Sequence, residues 1–313
     1  MRKIIGIIVL FIALPIWAAT GADHSRGHAF EVTVGGGYSS LGYKMNNVAD
    51  RLESKTTGSY NFQAHFGYNW FFCEYVGIGV GVDAQHYGQK ATLNGTLTWS
   101  DVTDTNGELY DHVLHIDSWS EKQDYWAVEI PVSLVFSIPV QDVVYITAQV
   151  GGKYGLPVSQ AYAGGGSLTH IGYYKPWDLT LENKPNHGFY TETDFAPKGK
   201  LTKKNYWALF AKVGVAIPLA EHLDLLVQGY FNYALTRING EGQNELLGFR
   251  NDRPGQEETH YFMNNYTSLA NTEVITDSFN PWSAGVEIGI RYTIKNHKKA
   301  TYPCRCLDNY WIY

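Results

Sequence analysis

Long apolar runs are scarce in this chain. Apart from residues 4–17, no stretch approaches the ~18 consecutive apolar residues that a membrane-spanning helix needs. A strong charge imbalance is missing too: the formal net charge is −6 over 313 residues, so there is no basic footprint for nucleic acid. Cysteine is limited to Cys73, Cys304 and Cys306. No Ser/His/Asp spacing of a nucleophilic site stands out. The glycine pattern Gly77-Ile78-Gly79-Val80-Gly81 is not followed by a helical period, so it cannot cradle a phosphate as a dinucleotide-binding turn does. No metal-ligand pattern and no cofactor motif is present beyond an isolated His112-x-x-His115, which lacks further ligands.

What is abundant is aromatic and small. Aromatics make up 15% of the chain, with 23 Tyr and 9 Trp, and there are 32 Gly. The mean hydropathy of −0.24 would be odd for a bundle of spanning helices. It is ordinary for a chain that crosses lipid with strands, where only alternate residues touch the membrane. At the N-terminus, Arg2 and Lys3 precede the apolar run, and Thr20-Gly21-Ala22 follows. This reads as a signal peptide over residues 1–22, cut before Asp23, with Ala19 as an alternative end point. No cysteine stands at that site, which argues against a lipoprotein.

The last apolar segment shows the pattern most clearly. Trp282, Ala284, Val286, Ile288, Ile290, Tyr292 and Ile294 alternate without a slip with Ser283, Gly285, Glu287, Gly289, Arg291 and Thr293. A period of two makes a strand with one apolar and one polar face. Seven earlier segments repeat it, at residues 30–38, 60–70, 76–85, 126–136, 144–154, 207–217 and 223–233. Each is roughly ten residues, enough to cross a hydrocarbon layer at a tilt of about 45°. Pro131 falls inside one of them, and a bulge is expected there.

Connections alternate in length. Short turns fall near Cys73-Glu74, residues 139–142 and residues 220–222, while long, polar, Gly- and Asn-rich stretches join the other ends. On the apolar faces, Tyr38, Tyr60, Trp126, Tyr154, Trp207, Tyr233 and Trp282 lie about 9–12 residues from the short-turn end, which suits an apolar band of ~25 Å. They form a girdle that lacks a member only on the third strand. Tyr68, Trp70, Phe136 and Tyr292 supply part of a second girdle at the other interface.

In alternation, strand number and turn asymmetry, residues 28–294 resemble the small eight-stranded outer-membrane β-barrels: the OmpA transmembrane domain, OmpX and similar barrels of the Bacteroidota. The resemblance implies an all-β, antiparallel, up-and-down transmembrane barrel with long extracellular loops, in the outer membrane of a Gram-negative bacterium. Both termini are then periplasmic, residues 23–294 make up the barrel with its surface loops, and residues 295–313 form a periplasmic tail. The pattern departs from that family in two ways. No peptidoglycan-binding domain follows the barrel, and the chain continues past its last strand into a basic, aromatic tail. Asn309-Tyr310-Trp311-Ile312-Tyr313 stands where the family's C-terminal assembly signal would be sought.

Inward positions collect Glu31, His65, Asp83, Glu129, Lys153, Lys212, Asp224, Glu287 and Arg291. Unpaired charges there would cost several kcal/mol each, so pairs across the lumen are expected, Glu129, Glu287, Lys212 and Arg291 among them. An eight-stranded barrel is just wide enough for side chains to fill, which favours a plug over a narrow pore. A lipid-modifying enzyme is the other alternative. Its candidates are His86 with Gln85, and the two loop histidines.

Function should then lie in the loops. The second reads as a continuing hairpin, with a turn at Asp104-Thr105-Asn106-Gly107. The third, from Gln160 to Lys204, carries Tyr173, Tyr174, Trp177, Phe189 and Tyr190, and the fourth, from Asn239 to Asn280, carries Tyr261 and Phe262. Aromatics in polar Gly/Asn settings suit binding of a protein or glycan partner. A non-enzymatic surface protein, or an accessory subunit of an envelope complex, is the function expected, with outer-membrane lipid around the barrel. The three cysteines all fall on the periplasmic side, so a disulfide from Cys73 to Cys304 or Cys306 is possible, as are free thiols.

Overall fold

The computed structural model describes residues 27–43, 52–73, 75–104, 106–140, 144–201, 203–238, 247–249, 262–266, 268 and 279–295. Period-two alternation becomes eight long strands: β1 (Gly27–Ser40), β2 (Leu52–Phe71), β3 (Val76–Thr103), β4 (Leu109–Val140), β5 (Val144–Tyr174), β6 (Tyr206–Ala220), β7 (Leu223–Ala234) and β8 (Trp282–Lys295). Each pairs antiparallel with its neighbours in sequence. β1 also pairs with β8, from Gly27↔Lys295 to Ser40↔Trp282, and this closes the ring. Closure leaves the ring without a free edge strand, so its backbone groups are paired between strands along most of their length. No helix among the described residues is long and apolar enough to cross a membrane.

The outer surface is apolar all the way round. Val32, Phe66, Val82, Val132, Val150, Val213, Phe231 and Ile288, one from each strand, are between 45% and 56% exposed. On β2, Tyr60 and Trp70 bracket this belt. The ten residue steps from one to the other span about 33 Å of strand, or about 24 Å along the normal at a tilt of ~45°. That matches a hydrocarbon layer. The fold is an antiparallel, eight-stranded transmembrane β-barrel.

The strands are unequal at one end. β3, β4 and β5 run to 28, 32 and 31 residues and continue well past the girdle as a wall. The β3–β4 hairpin expected from the sequence is there. Its turn is held by Asp104, whose carboxylate accepts from the amides of Asn106 (2.8 Å) and Glu108 (2.9 Å), and Gly107 supplies φ +84°. The length of β5 was not legible. Residues 160–174 are strand rather than the start of a loop, so the third loop begins at Lys175. It then descends as a strap, in which Leu179–Leu181, Thr191–Phe195 and Lys198–Lys200 each pair with β5. The strap covers an edge that would otherwise be open.

Glycines make the upper wall possible. A Cβ at Gly164 would lie 2.5 Å from the Trp119 ring, and one at Gly172 would lie 2.2 Å from the Phe189 ring. The aromatic rings lie flat over bare backbone, so a segment with few β-formers still pairs as strand. Pro131 behaves differently from expectation. The β3–β4 register is the same on both sides of it (Val80↔Val132, Asp83↔Glu129), so there is no bulge. Instead the pairing skips Gly81 and Val82, which leaves the missing N–H of Pro131 without a ladder bond to make.

Candidate functional site

The barrel interior divides into a polar lower part and an apolar upper part. The lower part holds eight buried ionisable groups: Glu31, His65, Asp83, Glu129, Lys153, Lys212, Glu287 and Arg291, all 5% exposed or less. They are brought together by register. Thr33↔His65, His65↔Asp83 and Asp83↔Glu129 place inward side chains of β1 to β4 side by side. Lys153 of β5 reaches both Asp83 Oδ2 (2.5 Å) and Glu129 Oε2 (3.0 Å). His65 lies between two carboxylates. Its Nε2 is 3.0 Å from Glu31 Oε1, and its Nδ1 contacts Asp83 Oδ1. Donating to both requires the imidazolium form. Room for this ring comes from Gly67 and Gly81, where a Cβ would lie 2.4 Å and 2.9 Å from it.

Neutral donors finish the arrangement. Gln149 and Asn69 donate to Glu31 (2.8 and 2.9 Å), Gln63 donates to Glu287 (3.0 Å), and the hydroxyls of Tyr87 and Tyr206 donate to Glu129. Lys212 Nζ lies 2.9 Å from Glu287 Oε1 without the angles of a hydrogen bond, so that contact is a plain ion pair. Arg291 departs from the cross-lumen expectation. It pairs with Asp224 (2.9 Å), its own register neighbour on β7, and reaches across the lumen only to Ser137 (3.4 Å).

Above this plug sits a core that sequence reasoning missed. Tyr87, Leu93, Leu114, Ile116, Trp119 and Tyr125 line the inside of the wall, and Tyr206 of β6 packs with them. Leu41, Tyr43, Leu201, Ile238 and Phe279 fold in from the ends of other strands. The signal is the inward alternation of Ala91 and Leu93 on β3 and Trp119 on β4, which along the chain alone indicates no more than a projecting hairpin. Lys203 lies inside this cap, its Nζ 3.7 Å from the centroid of Phe279. Burial pulls its amine down to about 7.

Higher in the wall, His112 Nε2 and His170 Nδ1 meet at 3.2 Å, beside Phe189 and Tyr190. Burial lowers both, His112 to about 3 and His170 to about 4. His115 points the opposite way, to Thr96 (2.8 Å), because residues three apart on a strand face opposite sides. His112-x-x-His115 therefore cannot converge on one metal.

The girdle residues form contacting pairs on the outer face: Tyr38 with Trp282 (5.7 Å between ring centroids) and Tyr154 with Trp207 (4.9 Å); Tyr233 and Trp282 are register partners. The gap on the third strand is filled by His86, stacked on Tyr60 (5.2 Å) and tilted against Trp126 (4.8 Å). Its Nε2 faces Asp124 at 3.1 Å, and the residue is only 2% exposed. A catalytic base needs an edge open to substrate, and this ring presents none.

The loop candidates separate sharply. Tyr174 and Phe189 are buried, 4% and 1% exposed, in a small core with Tyr110, which corrects their reading as contact residues. Tyr173 and Tyr190 are half-buried, and Tyr173 donates to Asp178 (2.9 Å). Trp177 is 56% exposed in the turn that follows β5, and Leu109 and Leu179 are exposed too, at 52% and 44%. Phe262 lies in the short strand Phe262–Tyr266, and Tyr261 falls outside the described residues. Cys73 is disulfide-bonded. Cys304, Cys306, the signal peptide and the tail from residue 296 lie outside the described residues.

No protein-family model and no curated protein matches the chain. Solved structures similar to it include the outer membrane protein OprG from Pseudomonas aeruginosa (14% identity, 87% of this chain and 98% of that one, TM-score 0.36). Neisserial surface protein A is another (10%, 85% and 99%, 0.32). A third is Ail, the attachment invasion locus protein of Yersinia pestis, solved in complex with the heparin analogue sucrose octasulfate (8%, 86% and 99%, 0.31). At these identities and scores the likeness decides nothing about this chain's activity.

Proposed function

We propose that the protein is a non-enzymatic outer-membrane barrel that presents its β3–β5 wall outside the cell and binds a protein or glycan partner at the tip of that wall. The observation that carries this reading is where the chain's extra length goes. β3, β4 and β5 continue furthest past the girdle, carry an apolar core of their own and lead into an exposed Trp177, with Leu109 and Leu179 exposed as well. Ordering that much backbone costs roughly 1–2 kcal/mol per residue. Spanning the membrane does not require it. A rigid wall with an exposed indole suits a flat apolar or sugar-ring contact. The short turns and both termini then face the periplasm. The filled lumen favours this reading over a pore, and the covered His86 favours it over a lipid-modifying enzyme.

The test uses a photo-crosslinking amino acid at position 177 on intact cells, with one at lipid-facing Val132 as control. Adducts with a protein or polysaccharide from position 177 alone support the proposal. Equal adducts from both positions, or none from either, sink it. Orientation is checked separately by antibody access to tags near Asn106 and Asn186, against tags near Glu74 and Asp142.

A further inference from the structure

Just above the girdle, on the wall's outward face, stands a basic row. Lys90 of β3 and Lys122 of β4 are register partners, both exposed. Lys122 pairs next with Ala163 of β5, which pairs with exposed Lys198 of the strap. Lys55 of β2, opposite Thr92, stands one diagonal step from Lys90. Like charges placed directly opposite in a sheet are destabilising. Here they are not relieved from within. Lys122 reaches Asp124 only at 3.9 Å and rests 5.7 Å from the Tyr60 ring centroid. Lys90 and Lys198 make no ion pair among the described residues. The chain as a whole is acidic, at −6, so the row is not a by-product of general basicity.

Its height is specific. Lys122 lies four residues beyond Trp126, about 13 Å along the strand and about 9 Å along the normal at a tilt of ~45°. Girdle aromatics mark the hydrocarbon edge, and headgroups occupy roughly the next 5–8 Å. A lysine stem that bends toward the membrane brings its ammonium into that layer. At the ends of the neighbouring strands β6 and β7, exposed Lys204 and Arg237 sit at a similar level beyond Trp207 and Tyr233.

We infer that the Lys90–Lys122–Lys198 row binds the phosphate groups of lipid headgroups in the leaflet on the wall's side. The inference rests on the reading of the barrel as membrane-inserted, and adds to it a defined anionic-lipid site.

The full chain is placed in nanodiscs of phosphatidylcholine, alone or with a bisphosphorylated glycolipid or its dephosphorylated form, and the folded-to-unfolded gel shift is followed on heating. The phosphorylated glycolipid should raise the midpoint, and added salt should remove the rise. Replacing all three lysines (K90Q, K122Q and K198Q) should abolish most of it, with affinity falling about fivefold per lysine, while the midpoint in pure phosphatidylcholine holds. The matching arginine triple should keep the rise, and K90Q alone gives a milder loss should the glutamine triple not fold. An equal rise with the dephosphorylated lipid, or in the glutamine triple, overturns the inference. So does the same rise from inorganic phosphate in phosphatidylcholine nanodiscs, which would assign the row to a free anion. Failure to enter any nanodisc would instead refute membrane insertion itself.

Discussion

Asp83 and Glu129 face each other as register partners on β3 and β4, both fully buried, and Lys153 is the cation that joins them. Two carboxylates side by side in a dry interior repel and are each costly to desolvate. One lysine offsets both. Lys153→Met should therefore destabilise the barrel by about 3–5 kcal/mol, since Glu129 loses its cation and Asp83 is left with His65 alone. Lys212→Met, which strands only Glu287, should cost less. Urea titration of the gel shift ranks the two. Equal midpoints for wild type and Lys153→Met would show that the pair is neutralised some other way.

Among the described residues, buried polar side chains fill the lower lumen and the apolar cap lies over them. Purified protein should therefore be nearly silent in planar bilayers. A steady conductance, rather than rare transient openings, would refute the filled interior.

Acid should loosen the wall before the barrel. The His112 and His170 pKa values are depressed to about 3 and 4, against about 6.5 in an unfolded chain. Both rings are thus held neutral in the folded wall, and between those limits the unfolded state binds more protons. Their contribution is complete above about pH 6.5 and is lost as the pH falls through about 4 for His170 and about 3 for His112. Limited proteolysis near residues 104–108 and 175–190 should accelerate over that window, and less so in the His112→Gln/His170→Gln double variant. A flat profile in the native chain would contradict the pairing.

Gly172→Val tests the strap. Its Cβ would press on Phe189 Cζ at 2.2 Å, an overpacking cost of about 1–3 kcal/mol. Residues 175–200 should become protease-sensitive while the barrel keeps its heat-modifiable shift. Loss of the whole fold would mean that wall and barrel are one cooperative unit.

Much of the fold was legible because alternation is local. Whether Glu287 points in and Ile288 out follows from neighbours along one strand, so strand identity, facing and the turn ends could be read directly. The Asp104–Gly107 turn was legible for the same reason, its chemistry lying within five residues. Partnership inside the lumen was not. That Lys153 would serve Asp83 and Glu129, while Arg291 stayed with adjacent Asp224, depends on register carried around a closed ring. His86 as the third strand's girdle residue depends on rings from β2 and β4 closing over it.

The upper wall marks the limit most clearly. Residues 160–174, with glycines at 164–166, read as loop because glycine and alanine favour no strand on their own. Trp119 lying over Gly164 and Phe189 over Gly172 make them strand. The same packing buries Phe189 and Tyr174 and leaves Trp177 outside. By itself the sequence determined an eight-stranded barrel with an apolar belt, because a two-residue period carries that information without tertiary partners. Only the tertiary structure decided where strand ends and loop begins at one end, since there burial by distant aromatics outweighs local preference.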